Sequence, residues 1–282
     1  MIFTSGSTGV PDGVAVSHRQ LAASTNARDR FYSQEPDRFL LISSISFDSS
    51  LVGLFWTLVG GGTIVMPDDD AAHDVDAIVS LIDRKAPSHV LCVPTLYRAM
   101  LSRKHGDVWP AHVIVAGEAC RPDLVEAHLG EVPDSTLTNE YGPTEATVWA
   151  TAHRCDEFVD PVPIGRPIAG TWVAVVDAAG AVVQAGLPGE LVIGGAGVTT
   201  GYLGGGDSSR FVTAAELRGV GGRSGPVFRT GDRVRLDQGS LVFLGRLGDQ
   251  LNVGGARVEP SEIEAILEHQ PGVHAAVVVA LD

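Results

Sequence analysis

The chain has 282 residues, 44% hydrophobic and 19% charged, with a formal charge of −14. That length can bury the core of one large domain or two, and the negative charge opposes nonspecific attachment to nucleic acid or anionic membrane, which need a positive surface. No apolar run reaches the ~20 residues of a membrane span, no signal peptide follows Met1, and Cys92, Cys120 and Cys155 are widely spaced with no CxxC pair, so a reduced, cytoplasmic protein is expected.

The run Phe3 to Gly13, FTSGSTGVPDG, is expected to form neither helix nor strand. Gly6, Gly9 and Gly13 open backbone angles that let successive N–H groups turn inward, and Thr4, Ser5, Ser7 and Thr8 add short hydroxyl donors. Polyphosphate suits such a lining; a flexible surface loop is the plainer alternative. It is not a Walker A loop, because no Gly-Lys-Ser/Thr follows the glycines and Asp12 stands where a cation would help.

From about 18 to 140 the pattern alternates between helices and short apolar strands, which predicts a mostly parallel, helix-covered sheet. Strands are expected at Arg38–Ser44, His89–Val93, His112–Ala116 and Ser135–Thr138, and helices at Leu51–Val59, Val75–Arg84, Leu96–Arg103 and Asp123–Leu129, with Pro122 suited to a first turn. From about 160 the texture becomes β-rich, with strands at Trp172–Asp177, Glu190–Gly194, Arg233–Asp237 and Leu241–Gly245 between Gly, Pro and Asp turns. Gly204–Pro226 reads as a long surface loop with an apolar island at Phe211 and Val212. Paired strands within Leu251–Val258, a capped amphipathic helix at Ser261–His269 and a strand at Val273–Leu281 then begin a further α/β unit.

Two carboxylates draw notice before any relative is considered. Asp48 follows a Phe in apolar surroundings, where a carboxylate needs a cationic partner; N-capping the helix at Leu51 is the competing reading. Glu145 ends a strand-like segment, where parallel sheets gather ligands, although a lone carboxylate there is commonly just solvated. Nine histidines show no metal-binding spacing, and Gly195, Gly197 and Gly201 miss the dinucleotide fingerprint.

In chain order, the Thr4–Gly13 run is followed by Phe47-Asp48-Ser49-Ser50, Asn139-Glu140-Tyr141-Gly142-Pro143-Thr144-Glu145, Gly189-Glu190-Leu191, Gly201-Tyr202-Leu203, Arg229-Thr230-Gly231-Asp232, Gly245-Arg246 and Val258-Glu259-Pro260-Ser261-Glu262. The series resembles the adenylate-forming (AMP-binding) superfamily of acyl-CoA synthetases, luciferases and nonribosomal peptide synthetase adenylation domains, most of all the last. The resemblance implies an α/β adenylate-forming fold: residues 1–160 an α/β subdomain with phosphate loop and substrate pocket, 161–245 a β-barrel-like subdomain, and 246–282 the start of a small α+β lid. It also implies a fragment lacking the N-terminal subdomain and most of the lid, including a late lysine.

By the same resemblance, Thr4, Ser5, Gly6, Ser7, Thr8, Gly9, Gly117, Glu118, Ala119, Tyr141, Gly142, Thr144, Asp232 and Arg246 bind ATP or AMP, with Asp232 on the ribose hydroxyls. Thr144 and Glu145 are the catalytic pair, and Glu145 holds Mg2+. Asp48 takes the substrate ammonium in a pocket with Ser49, Val52, Cys92, Ile114, Ala116, Glu140, Val148 and Trp149; the bulk of Trp149 and the charge of Glu140 suggest a small or cationic side chain. The implied reaction joins a carboxylate, expected to be an amino acid, to ATP as an acyl-adenylate and passes it to a phosphopantetheine thiol on a peptidyl carrier protein, in cis or in trans. An acyl-CoA synthetase and a catalytically impaired nucleotide-binding remnant are the alternatives. Asp12 replaces the family's loop lysine, and Gly248 and Asn252 depart from the lid pattern, which blurs the branch.

Overall fold

The computed structural model describes residues 1–4, 12–68, 74–203, 208–247, 251–253 and 256–258, with 263, 266, 267, 270, 273, 276 and 278. The glycine run is flanked by two strands, β1 (Ile2–Thr4) and β2 (Asp12–Val14), paired antiparallel with Thr4 opposite Asp12. Its ends therefore do enter a ladder, because the apolar Ile2 and Val14 give each end a residue to bury; Ser5 to Gly9 lie outside the described residues. Next, α1 (His18–Phe31) starts at a capping box in which Ser17 and Gln20 exchange side-chain and backbone bonds.

The main sheet is built from β3 (Arg38–Leu40), β4 (Thr63–Val65), β5 (His89–Cys92), β6 (His112–Val115), β7 (Thr136–Tyr141), β8 (Thr151–Arg154) and β9 (Arg166–Pro167). Its order is β4-β3-β5-β6-β7-β8-β9, parallel up to β7 and antiparallel beyond. Between β3 and β4 the expected helix forms as a π-helical turn, Val52–Trp56, running into α2 (Thr57–Val59). No side chain caps that turn, so Asp48 is not its N-cap. The crossovers α3 (Val75–Lys85), α4 (Pro94–Ser102) and α5 (Pro122–Glu131) match expectation within two residues, and the last two carry Pro in the first turn.

Side chains alternate across the strands, so each face has its own core. One face packs Val90, Cys92, Val113 and Val115 against α3, α4 and α5. The other packs Phe39, Leu91 and Ile114 against Ala27 and Tyr32, Val52 and Trp56, and Trp149.

The β-rich part contributes β10 (Thr171–Val176), β11 (Pro188–Gly195), β12 (Tyr202–Leu203), β13 (Phe211–Thr213), β14 (Pro226–Asp237) and β15 (Ser240–Arg246). β12 joins β1 and β2, while the others form a five-stranded antiparallel sheet centred on β14. Phe211–Thr213 is thus a strand on β14 and not part of a surface loop; its apolar island fills that sheet's core beside Phe228 and Val227. A third cluster joins Tyr141, Ala146 and Ala150 to Ile193, Phe228 and Leu241, seating the end of β7 against this sheet. Finally β16 (Leu251–Val253) pairs with β17 (Ala256–Val258). Ile263, Ile266 and Leu267 fall in the expected helix, and most of Val273–Leu281 lies outside the described residues.

Candidate active site

The site is assembled where β7 ends. Gly142 begins the turn after it, and any Cβ there would lie 2.4 Å from the Trp149 Cα; only glycine lets the chain fold back so that Ala150 N–H donates to the Tyr141 carbonyl at 2.8 Å. The turn continues through a 3-10 segment, Thr144–Ala146, into Thr147 and Val148 at φ 59° and 77°. A left-handed backbone at two consecutive β-branched residues costs of order 1–3 kcal/mol each. The Thr147 hydroxyl offsets part of that by donating to the Gly197 carbonyl at 2.6 Å, and its own carbonyl accepts from Ser24 Oγ at 2.8 Å.

This turn presents Thr144 and Glu145 side by side. Glu145 is buried, and its Oε1 accepts a hydrogen bond from the Tyr202 hydroxyl. Because Tyr202 lies on β12 beside Val14 of β2, the carboxylate is tied to the hairpin that carries the glycine run. Asp48 reaches the same place: its half-buried carboxylate accepts a hydrogen bond from Thr144 and feels the charge of Glu145. Burial pushes the Asp48 carboxyl up to about 6, against the lowering effect of the Thr144 bond and with a further rise from Glu145. Among the described residues no arginine, lysine or histidine forms an ion pair with Asp48.

A second cluster gathers around Tyr141, at the end of β7. Tyr141 donates its hydroxyl to Asp232 Oδ2, and Arg246 Nε stands 3.3 Å from Asp232 Oδ1. Burial first, then the Asp232 charge, raises Tyr141 well above the ordinary phenol range, so it stays a neutral donor. Arg246 also donates to the Thr230 carbonyl at 3.0 Å, which fixes the guanidinium beside the carboxylate. An ionised carboxylate has about four lone-pair sites and can accept from several donors at once, a sugar hydroxyl among them.

The remaining expected residues divide. Ile114, Val52, Trp149 and Val148 share one apolar cluster, and Ala116 continues the β6 ladder through its N–H to the Cys92 carbonyl at 3.1 Å, on the same face as Ile114. Ser49 adjoins Asp48, and its carbonyl accepts from Val52 N. Cys92 must be corrected: strand alternation turns it to the opposite face, into the core with Tyr97 and Met100, and burial raises its thiol to about 12. Gly117 adopts φ 85° at the end of β6, and the Glu118 carboxylate accepts from Thr95 N and Oγ1, both at 3.1 Å, at the first turn of α4. Ala119 is exposed. Of the glycine run, Thr4 has its Oγ1 3.4 Å from the Asp12 carbonyl.

Glu140 is also not what the sequence suggested. Its two oxygens accept from Arg28 Nη1 and Nη2 at 2.6 and 2.9 Å, and Tyr32 donates to Oε1 at 2.5 Å. The Glu140 charge is compensated inside the chain, which removes it as a second anion for a cationic substrate. Arg28 lies between two indoles, 4.2 Å from the Trp149 ring and 5.5 Å from Trp56. Arg28, Tyr32, Trp56 and Tyr202 join the site beyond the residues expected from the sequence; an arginine on the α1 face shared with Ser24 is the available signal for the first, and the Gly201-Tyr202-Leu203 motif for the last.

Mg2+ takes one or two carboxylates together with phosphate oxygens and water. Glu145, beside Thr144 and tied to the hairpin, fits that demand. Among the described residues no group of three His, Cys, Asp or Glu converges, so no all-protein cage competes there.

Residues 1–203 match the family described as AMP-binding enzyme. The chain belongs to that family. Similar curated proteins are tyrocidine synthase 2 of Brevibacillus parabrevis, 36% identical over 99% of this chain and 8% of its own length, and the phosphinothricin tripeptide synthetase PhsC of Streptomyces viridochromogenes, 38% identical over 99% and 25%. Among solved structures, holo-PA1221, a nonribosomal peptide synthetase protein with adenylation and PCP domains bound to a vinylsulfonamide inhibitor, has a TM-score of 0.85 at 28% identity, covering 97% of this chain and 48% of its own. The Vibrio cholerae adenylation domain AlmE, in complex with glycyl-adenosine-5'-phosphate, has a TM-score of 0.85 at 28% identity over 97% and 52%. This AMP-binding enzyme chain thus spans a quarter or less of those two curated relatives and about half of the solved chains.

Proposed function

We propose that the chain forms the nucleotide- and substrate-binding part of an ATP- and Mg2+-dependent ligase that activates an amino acid as its adenylate. The observation that carries the amino-acid assignment is Asp48, a half-buried carboxylate with no ion-pair partner among the described residues, hydrogen-bonded to Thr144 and next to Glu145. A substrate ammonium would repay the burial that raises its pKa. The two clusters then divide the work. Asp232, held by Tyr141 and Arg246, accepts from the ribose hydroxyls; the single Thr144 hydroxyl proton, given to Asp48 in the absence of substrate, turns to the α-phosphate when the substrate ammonium takes its place on Asp48; Glu145 would hold the Mg2+.

In the reaction the substrate carboxylate oxygen forms a bond to the α-phosphorus and the bond to the pyrophosphate oxygen breaks. Mg2+ supplies charge neutralisation for the phosphates. The protein's part is positioning: Asp48 anchors the ammonium one hydrogen bond from Thr144, so carboxylate and phosphate are brought together without a bimolecular search. Ser5 to Gly9 of the glycine run supply the N–H and hydroxyl lining for the outer phosphates, Gly117 to Ala119 line the adenine, and Gly142 lets the turn approach the nucleotide. The adenylate is passed to the phosphopantetheine thiol of a peptidyl carrier protein, as the carrier-containing relative suggests. Residues 1–160, 161–245 and 246–282 are proposed as the three structural units.

The test is amino-acid-dependent exchange of pyrophosphate into ATP, with calorimetric ATP binding alongside. Exchange that ignores amino acids, or survives Asp48→Ala unchanged, overturns the amino-acid assignment. ATP binding with no exchange under any carboxylate favours a nucleotide-holding remnant, the reading that Asp12 in the lysine position supports.

A further inference from the structure

We infer that the Arg28–Glu140 ion pair is a stopper at the base of the substrate pocket and restricts the chain to an amino acid with a small, uncharged side chain. The inference rests on the adenylation reading, with Asp48 as the ammonium site. Asp48 sits in the turn that leads into the Val52–Trp56 π-helical turn, with the Leu51 N–H donating to its carbonyl at 2.9 Å, and Val52 and Trp56, at the two ends of that π-helical turn, are buried in the cluster that also holds Ile114 and Trp149. A side chain anchored at Asp48 is taken to meet this cluster, Val52 at the near end of the turn and Trp56 at its far end, with Ile114 and Trp149 packed against them.

What it meets is rigid. The Trp149 indole N–H donates to the Ser24 carbonyl at 3.1 Å, and the Arg28 guanidinium stacks 4.2 Å from that ring and 5.5 Å from Trp56. Both guanidinium ends are spent on Glu140, and Tyr32 spends its hydroxyl there too. The two charged side chains are only 2% and 1% exposed. A long apolar side chain would have to displace an indole held by the backbone. A cationic one meets Arg28 first, with Glu140 already neutralised, and an anionic one faces Glu140 with Arg28 already committed. Hydrogen, methyl and hydroxymethyl groups need none of these changes.

The test is calorimetric titration of the chain with sulfamoyladenosine and its N-glycyl, N-alanyl, N-ornithyl, N-glutamyl and N-phenylalanyl derivatives, stable mimics of the adenylates. The expected result is binding of the parent compound, and glycyl and alanyl forms binding at least tenfold more tightly than the other three. An ornithyl, glutamyl or phenylalanyl form within threefold of the glycyl one overturns the inference while leaving the adenylation reading intact. Failure of every compound, parent included, sinks the nucleotide reading and the inference with it. Arg28→Ala, checked for folding by circular dichroism, is expected to gain at least tenfold for the ornithyl form by freeing Glu140; a folded variant without that gain refutes the stopper. If the variant does not fold, the panel on the unaltered chain decides.

Discussion

Replacing Arg28 with methionine keeps the aliphatic reach of the side chain but deletes a cation whose two nitrogens stand 2.6 and 2.9 Å from the Glu140 oxygens. With the partners 2% and 1% exposed, water cannot take over, and the stranded carboxylate should cost about 3–5 kcal/mol. Glu140→Met strands the guanidinium and deprives the Tyr32 hydroxyl of its acceptor, for a similar loss. The double variant Arg28→Met/Glu140→Met removes both charges together, and buried ion pairs replaced by apolar groups of like volume are often neutral. A coupling energy of about 3 kcal/mol or more is therefore expected, measured as a double-mutant cycle in urea unfolding. Trp56 and Trp149 flank the guanidinium, so their fluorescence reports the site directly. Single variants that each cost under ~1 kcal/mol, or a double variant that costs the sum of the two, would refute the reasoning, since either result requires the pair to be solvated.

Three further outcomes are expected. Asp48→Asn should stabilise the chain at pH 8, because the folded carboxyl is raised to about 6 and its ionised form is disfavoured by up to about 3 kcal/mol at 1.36 kcal/mol per unit, less where water reaches it; a lower Tm in thermal unfolding contradicts this. Stability should fall on acidification between about pH 6.5 and 3: burial, then His112, hold His89 down to about 3, so only the unfolded chain takes the proton in that window, a loss of about 4–5 kcal/mol at most. His112, His128 and His153, all lowered by burial, add in the same sense, while Asp48 opposes it between its ordinary value and about 6; His89→Phe should flatten the pH profile of urea midpoints, and an unchanged profile argues against a buried neutral ring. Tyr202→Phe deprives Glu145 of a donor and should cost about 1–3 kcal/mol, with weaker Mg·ATP binding by calorimetry; full affinity would mean the tie to the hairpin is dispensable.

Local pattern carried the α/β half of the fold because its crossover helices are amphipathic and its strands continuous apolar runs, both legible without partners. The strand at Phe211–Thr213 was hidden because two apolar residues in a Gly/Ser-rich stretch gain a ladder only from Phe228 and Val227. Of the motif residues, Asp48 meets Thr144 and Glu145 in one group, and Tyr141, Asp232 and Arg246 meet in another. Cys92 and Glu140 went astray for different reasons. A motif position does not reveal to which side of a pleat a side chain turns, and a carboxylate in a sequence does not disclose its counter-ion. Arg28 comes from a helix 112 residues upstream of Glu140, a separation no local pattern spans.

That separation bears on how such a domain can be recombined. A chimera whose crossover falls between Arg28 and Glu140 inherits the two halves of the charge pair from different parents, and unless both parents agree, one half arrives without its complement. Taking β7 alone is no remedy, since Tyr141 on the same strand touches Asp232 and comes along with Glu140. A graft intended to change the side chain accepted by this chain must therefore carry α1 and β7 together.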